Sequence, residues 1–349
     1  MTSIAEHSQA TRRPGVAASN AARALGLLAC LSVLGIVVLA SIAIGSRDIA
    51  LPVVIDALFA YDDSNDHAII QSLRLPRTLL GLLVGAGLGI SGALIQALTR
   101  NPLADPGILG VNAGATFFVL IAVGYFGLTS LQSYIWFAFA GAVITTVAVY
   151  LVGSTGRRGA TPVSLTLAGV AIGAILGGVS TALTLLNPSA FDRMRFWSAG
   201  ALSGGTYEAV VTVAPFIVVG LALAAIVARP LNAVALGDDL ARSLGANIVR
   251  VRTIVVVAVT LLAGAATAAA GPIGFVGLMV PHVARWVVGP DQRWIMAYTM
   301  VLAPVLLLVS DIVGRIIMRP GEVQVAIVTA FIGAPVLIML ARRRRVSGL

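Results

Sequence analysis

Lysine is absent from this chain: all 23 basic residues are arginine. A Walker A loop needs its lysine to reach nucleotide phosphates, so ATP is not bound here through a P-loop. Schiff-base chemistry on a lysine amine is excluded as well. Cysteine is nearly absent. Cys30 stands alone in the first apolar stretch, cannot form an intrachain disulfide, and reads as a small packing hydrophobe. The three histidines, His7, His67 and His282, lie far apart with no partner at zinc-ligand spacing, so no metal site is expected. Charge is scarce too: 11% of the 349 residues, where a soluble domain carries about 25%.

What fills the chain is apolar residues, 58% of the total, in long runs separated by short polar turns. That pattern predicts an all-α polytopic membrane protein. The net charge of +9 does not indicate nucleic acid, because the arginines sit at the ends of apolar spans, where membrane orientation uses them. Ten spans are predicted, at about 24–45, 76–98, 107–126, 134–153, 162–186, 207–228, 253–270, 273–288, 294–312 and 323–340. They divide the chain into a polar tail (1–23), a transmembrane domain (24–341) and a basic tail (342–349). Arg12, Arg13 and Arg23 before the first span imitate a signal peptide, but the apolar run to Gly45 is too long for one, so a retained first helix is expected. A short apolar patch at 51–60 reads as an interfacial helix.

Ten spans put both termini on one side. Sixteen arginines then fall inside and seven outside (Arg47, Arg74, Arg77, Arg193, Arg195, Arg315 and Arg319), which assigns both termini to the cytoplasm. Spans two and seven are both rich in small residues, run into proline-bearing turns and lie five spans apart, consistent with inverted repeats.

The spans hold almost no ionisable residue, whereas ion-coupled carriers keep acids or histidines within the membrane. Asp311 is the best candidate, but it stands four residues before Arg315 and reads as a local ion pair at the water boundary. Energy is therefore expected from outside the chain. A self-sufficient secondary transporter accounts for the spans but leaves this empty inventory unexplained. An intramembrane enzyme lacks any Ser/His, Glu-x-x-His or paired-Asp arrangement, so no catalytic residue is assigned.

Four stretches carry more information. Gly81, Gly85, Gly89 and Gly92 lay a smooth strip along the second span, on which another backbone can approach closely. The turn 100–106 holds Pro102 and Pro106, which forbid a helix, and Arg100 and Asp105, which are expected to keep it in water. At 235–247, Leu236, Leu240 and Leu244 share one helical face, away from Asp238, Asp239 and Arg242, and Gly245 can end the helix. Such a helix either lies on the membrane surface or docks on a partner. Arg74 and Arg77, bracketing Pro76, are likewise interfacial anchors or a docking site.

The run RLPR (74–77), the Gly-rich span, NPLADPGILGVNAGA (101–115), GPIGFVGLMVPHVAR (271–285) and EVQVAI with GAP near the C-terminus resemble the FecCD-type permeases. These are the membrane subunits of ABC importers for ferric siderophores, haem and vitamin B12. The resemblance covers nearly the whole chain. It implies a type II ABC importer permease in a bacterial cytoplasmic membrane, non-catalytic and without a cofactor. It also implies a second permease (identical or homologous), two cytoplasmic ATPase subunits, and an extracytoplasmic substrate-binding protein that delivers an iron chelate. Ferric siderophore is the first expectation, with haem and cobalamin open.

The resemblance assigns Leu236, Gly237, Asp238, Leu240, Ala241, Leu244 and Gly245 to an ATPase-coupling helix. It assigns Arg74, Arg77 and Arg315 to docking of the binding protein. The translocation path between permeases is then expected along Gly85, Gly89, Gly92, Gly169, Gly173 and Gly177. His282 reads as structural, ahead of a haem ligand. Departures from the family's usual pattern are Gln324 for Pro, Ala326 for Gly, and Val336 and Leu337 where an aromatic follows GAP; they bear on substrate detail.

Overall fold

The computed structural model describes residues 16–342, apart from 18, 46, 129 and 156–160. Most of both predicted tails and the Arg157–Arg158 turn lie outside the described residues. Among the described residues there are helices and no strand: α1 (Asn20–Ala43), α2 (Leu51–Phe59), α3 (Asn65–Ile69), α4 (Leu75–Thr99), α5 (Val111–Gly124), α6 (Leu131–Ser154), α7 (Pro162–Leu186), α8 (Pro188–Ser198), α9 (Tyr207–Val234), α10 (Asp238–Ser243), α11 (Ile248–Ala270), α12 (Val276–Val288), α13 (Gln292–Ile317) and α14 (Val325–Arg342).

Seven helical runs are long and apolar enough to cross a bilayer: α1, α3 continued into α4, α6, α7, α9, α11 and α13. Three shorter apolar helices, α5, α12 and α14, occupy the remaining predicted segments. Two of them are short for a visible reason. A 3₁₀ turn (Pro106–Leu109) stands before α5, and α12 is preceded by irregular backbone in which Gly271 and Phe275 have φ of 71° and 70°. Irregular backbone at membrane depth is tolerated where protein surrounds it, and Gly271 is packed against the carbonyl of Trp197.

The fold is organised around two helices made of small residues. In α4, 83% of the most apolar window is buried, and in α11 78%, against 11% in α1 and 17% in α7. Small residues allow this centrality, because helices associating in lipid gain from close backbone approach rather than from a hydrophobic drive. The strip on α4 meets backbone as its spacing predicts: a Cβ on Gly85 would stand 2.6 Å from Cα of Pro304 in α13, and Gly92 lies against Gly277 of α12. On α11, residues 263–270 are all buried.

Two features depart from the predicted map. Residues 188–198, which fall between predicted spans, form α8, and the chain just past it meets the bundle where the N–H of Ala201 donates to the carbonyl of Ala270 (2.8 Å). The second span also starts earlier: a π-helical turn, Ile70–Arg74, joins α3 to α4. The turn falls just before Pro76, whose ring crowds the carbonyl four residues back and favours a locally widened helix.

Candidate functional site

The chain presents two polar ends. One gathers the start of α1, the turn 100–106, the end of α9, α10, and the starts of α11 and α13; the other gathers the end of α1, α2, the start of α4, the end of α13 and the loop before α14.

At the first end, α10 is one short helix between two glycines that L side chains would strain, Gly237 (φ 116°) and Gly245 (φ 83°). Leu236, Leu240 and Leu244 are 42, 48 and 63% exposed, while Ala241 on the other face is fully buried. The apolar row thus points away from the bundle. Asp238 points into it. Its carboxylate accepts from the guanidinium of Arg100, just past the end of α4, and from Nη2 of Arg252 in α11 (2.6 Å). Arg100 itself is the left-handed cap of α4 (φ 52°), and its Nε also donates to the carbonyl of Val234 in α9 (2.9 Å). One carboxylate therefore ties α10 to both central helices. The sequence pattern placed Asp238 off the apolar face; it carried no signal for its two partners, which lie far away along the chain.

Beside this clamp, α9 is clasped to α13. Asn232 donates to Asp291 (3.0 Å) and accepts from the N–H of Gln292 (2.9 Å), and Arg293 pairs with Asp291 at 3.1 Å. Partial burial pulls the Asp291 carboxyl up, but the hydrogen bonds from Arg293 and Asn232 outweigh it and hold the group below the usual carboxylate range. Asp105 is half-buried rather than in open water, since it caps the 3₁₀ turn by accepting from the N–H of Gly107 (2.7 Å).

At the opposite end the expected docking arginines are engaged within the chain. Arg74 is 5% exposed and donates to the carbonyls of Ile42, Ala43 and Arg47. Arg315 is 2% exposed, donates to the carbonyls of Ser41 (2.7 Å) and Ile44 (3.0 Å), and pairs with Asp311. Arg319 reaches the carbonyl of Gly45 (3.0 Å). The guanidiniums of Arg74 and Arg315 thus donate to the last carbonyls of α1, which have no intrahelical partner and carry partial negative charge, and Arg319 donates to the chain just beyond them. The Asp311–Arg315 pair forms as its spacing predicts, but in the interior rather than at the water boundary. Arg77 joins it, with Nη2 to Asp311 at 2.7 Å and Nη1 to Glu322 at 2.8 Å. Of the three, Arg77 keeps the most exposed side chain, at 13%.

The six glycines expected along the path separate into two groups. Gly85, Gly89 and Gly92 are filled from within the chain by Pro304, by Ala303 and Thr299, and by Gly277, and Gly169 abuts the carbonyl of Ile108. Gly173 has one distant neighbour, Ala113, and Gly177 has open space around it. The 271–285 motif is a junction. Gly277 takes α4, Phe275 lies against Gly333 of α14, and Gln96 of α4 donates to the carbonyls of Gly277 and Leu278 (3.1 Å each). His282 is 8% exposed and packs edge-on against Trp286.

The chain is similar to known transport permeases. The ferric enterobactin transport system permease protein FepD of Escherichia coli (strain K12) is 46% identical over 327 residues, covering 93% of this chain and 97% of that protein. The Fe(3+)-citrate import system permease protein YfmD of Bacillus subtilis (strain 168) is 41% identical over 305 residues, 87% of this chain and 90% of that one. A metal-chelate type ABC transporter solved in an inward-facing conformation superposes with a TM-score of 0.82 at 26% identity, over 91% of this chain and 99% of that one. The model of the FecCD transport family matches residues 33–343, and the chain belongs to that family of transport permeases.

Proposed function

We propose that this chain is the membrane-spanning permease subunit of an ATP-driven importer for ferric siderophores. The observation that carries this reading is α10, an exposed row of leucines backed by a carboxylate tied to the two central helices. In this reading the α10 end is cytoplasmic, both termini lie with it, and Leu236, Leu240 and Leu244 seat α10 on one of two separate ATPase subunits. ATP binding and hydrolysis move α10. The Asp238 clamp passes that movement to α4 and α11, and α4 in turn carries α13 and α12 through the backbone contacts at Gly85 and Gly92.

The path runs between this permease and a second copy or homologue. The open face of α7 around Gly173 and Gly177 supports a lining role there, whereas Gly85, Gly89, Gly92 and Gly169 hold the bundle together beneath it. An extracytoplasmic binding protein docks at the opposite end. Arg77, with the exposed edge, meets its carboxylates, and Arg74 and Arg315 brace the surface from below. Charge pairs of this kind set encounter rate and orientation more than affinity. The named relatives carry ferric enterobactin and ferric citrate, which supports an iron chelate as cargo.

The test is reconstitution of the chain with its ATPase and binding protein in vesicles, with uptake of ferric enterobactin, ferric citrate, haem and cobalamin compared. Uptake requires ATP and the ATPase. Leu240→Asp abolishes ATPase assembly while the permease stays folded. Uptake by the chain alone, driven by an ion gradient, overturns the proposal, and preference for haem or cobalamin overturns the choice of cargo.

A further inference from the structure

A crevice of about 270 Å³ opens between α9, α13 and α4. Residues 221, 224, 225 and 228 of α9 and 293, 296, 297 and 300 of α13 line it. Both sets follow the i, i+3, i+4, i+7 spacing of one helical face. Two helix faces therefore look at one another without filling the space between them, and Ile90 of α4 closes the back. Ala225 and Ala228 leave the volume empty, and Met296 and Met300 bring unbranched, adaptable side chains to the wall.

The walls are apolar along their length and charged at one end only, the end that holds the Asn232–Asp291 clasp. Arg293 lines the crevice there, sharing its charge with Asp291 at 3.1 Å. Arg229 follows Ala228 and lies one turn beyond Ala225, so it borders the same face; it is exposed and has no ion-pair or hydrogen-bond partner among the described residues. Two guanidiniums against one carboxylate leave that mouth positive. Both helices are long enough to span a bilayer, so the crevice lies at membrane depth.

We propose that this crevice is a binding site for an anionic phospholipid, with one acyl chain between α9 and α13 and the headgroup phosphate between Arg229 and Arg293. An apolar slot with a basic rim at headgroup level matches that ligand's two halves. The bound chain completes the α9–α13 contact beside the Asn232–Asp291 clasp.

The test is native mass spectrometry of the detergent-purified full chain, titrated with phosphatidylglycerol or phosphatidylcholine of matched acyl chains. Phosphatidylglycerol is retained preferentially. Arg229→Gln breaks no contact within the chain and weakens that retention about fivefold, and adding Arg293→Gln brings the loss to about 25-fold. Ala225→Trp fills the slot, leaves the charges and the thermal midpoint in place, and removes retention as well. Equal retention of the two lipids, which signifies annular lipid only, overturns the proposal. So does phosphatidylglycerol retention unchanged by Arg229→Gln, or unchanged by Ala225→Trp.

Discussion

Asp238→Asn separates ATPase docking from transmission. The substitution keeps size and removes the charge that two arginines share. The Arg100–Asp238 pair is about one-third exposed on both sides, so solvent screening reduces its worth to about 0.5 kcal/mol. The Arg252 side chain is 16% exposed and its bond is 2.6 Å, which places that contact at about 1.5 kcal/mol. Together they restrain α10 by about 2 kcal/mol, or roughly 30-fold in the population of the clamped over the loosened arrangement. The leucine row is untouched, so ATPase subunits still assemble and hydrolyse ATP. Substrate moved per ATP falls about tenfold or more, and Asp238→Glu restores part of it. The assay is paired measurement of uptake and phosphate release in proteoliposomes. An unchanged ratio in Asp238→Asn refutes the clamp as the route. Loss of ATPase assembly refutes the division of labour between Asp238 and the leucines.

Three further outcomes follow from the same geometry. Gly92→Ala drives a methyl into the backbone of Gly277 and lowers the stability of the detergent-purified chain by about 3 kcal/mol, whereas Gly177→Ala, inside α7 with open space around it, leaves the thermal midpoint unchanged or slightly raised. Asp311→Ala strips the interior carboxylate from Arg77 and Arg315 and costs about 3–5 kcal/mol, read as a collapse of the thermal midpoint; a normal midpoint means these charges are solvated. Asp291 has a native pKa below its ordinary value, so its contribution is full above the unfolded carboxylate range, near pH 4, and is lost as pH falls through the lower native value. The acid limb of a stability profile is accordingly shallower in Asp291→Asn than in the wild type, and superimposable limbs contradict the clasp.

The ten apolar segments were legible because an apolar helix is written in consecutive residues; a helix falls on each, with ends shifted by up to six positions, and seven of the helical runs are long enough to cross a bilayer. α8 escaped because Asp192, Arg195 and neighbouring polar residues break the apolar run, and a short helix of 11 residues needs no long one. The glycine strip on α4 announced a close approach but not the identity of what approaches. That depended on Pro304 and Gly277, placed by a fold the strip does not describe. The arginines show the same limit more sharply. Counting charge at span ends put Arg74, Arg77 and Arg315 on the same side, yet whether a guanidinium faces a partner or its own chain depends on the carbonyls left over at the end of α1. The Asp311–Arg315 pair was readable from a spacing of four, while Arg77–Asp311 joins residues 234 apart in sequence. The leucines of α10 were readable for the same local reason, and their Asp238 anchor was not.

The burial of α4 also has a consequence in time. The residues that fill its glycine seam, Gly277, Ala303 and Pro304, are made more than 180 residues after Gly92. At ribosomal speeds of roughly 5–20 residues per second, the seam waits on the order of ten seconds or longer before its partners exist. During that interval Arg77 has neither Asp311 nor Glu322, and the carbonyls ending α1 lack Arg315. A glycine strip bears the wait well, since it offers the surrounding lipid nothing polar and little to clash with. The arginine does not, and its position in the first turn of α4 lets it remain in water until the second half of the chain arrives. The most enclosed helix of the finished protein therefore spends its early life as one of the most exposed, and its sequence has to suit both conditions.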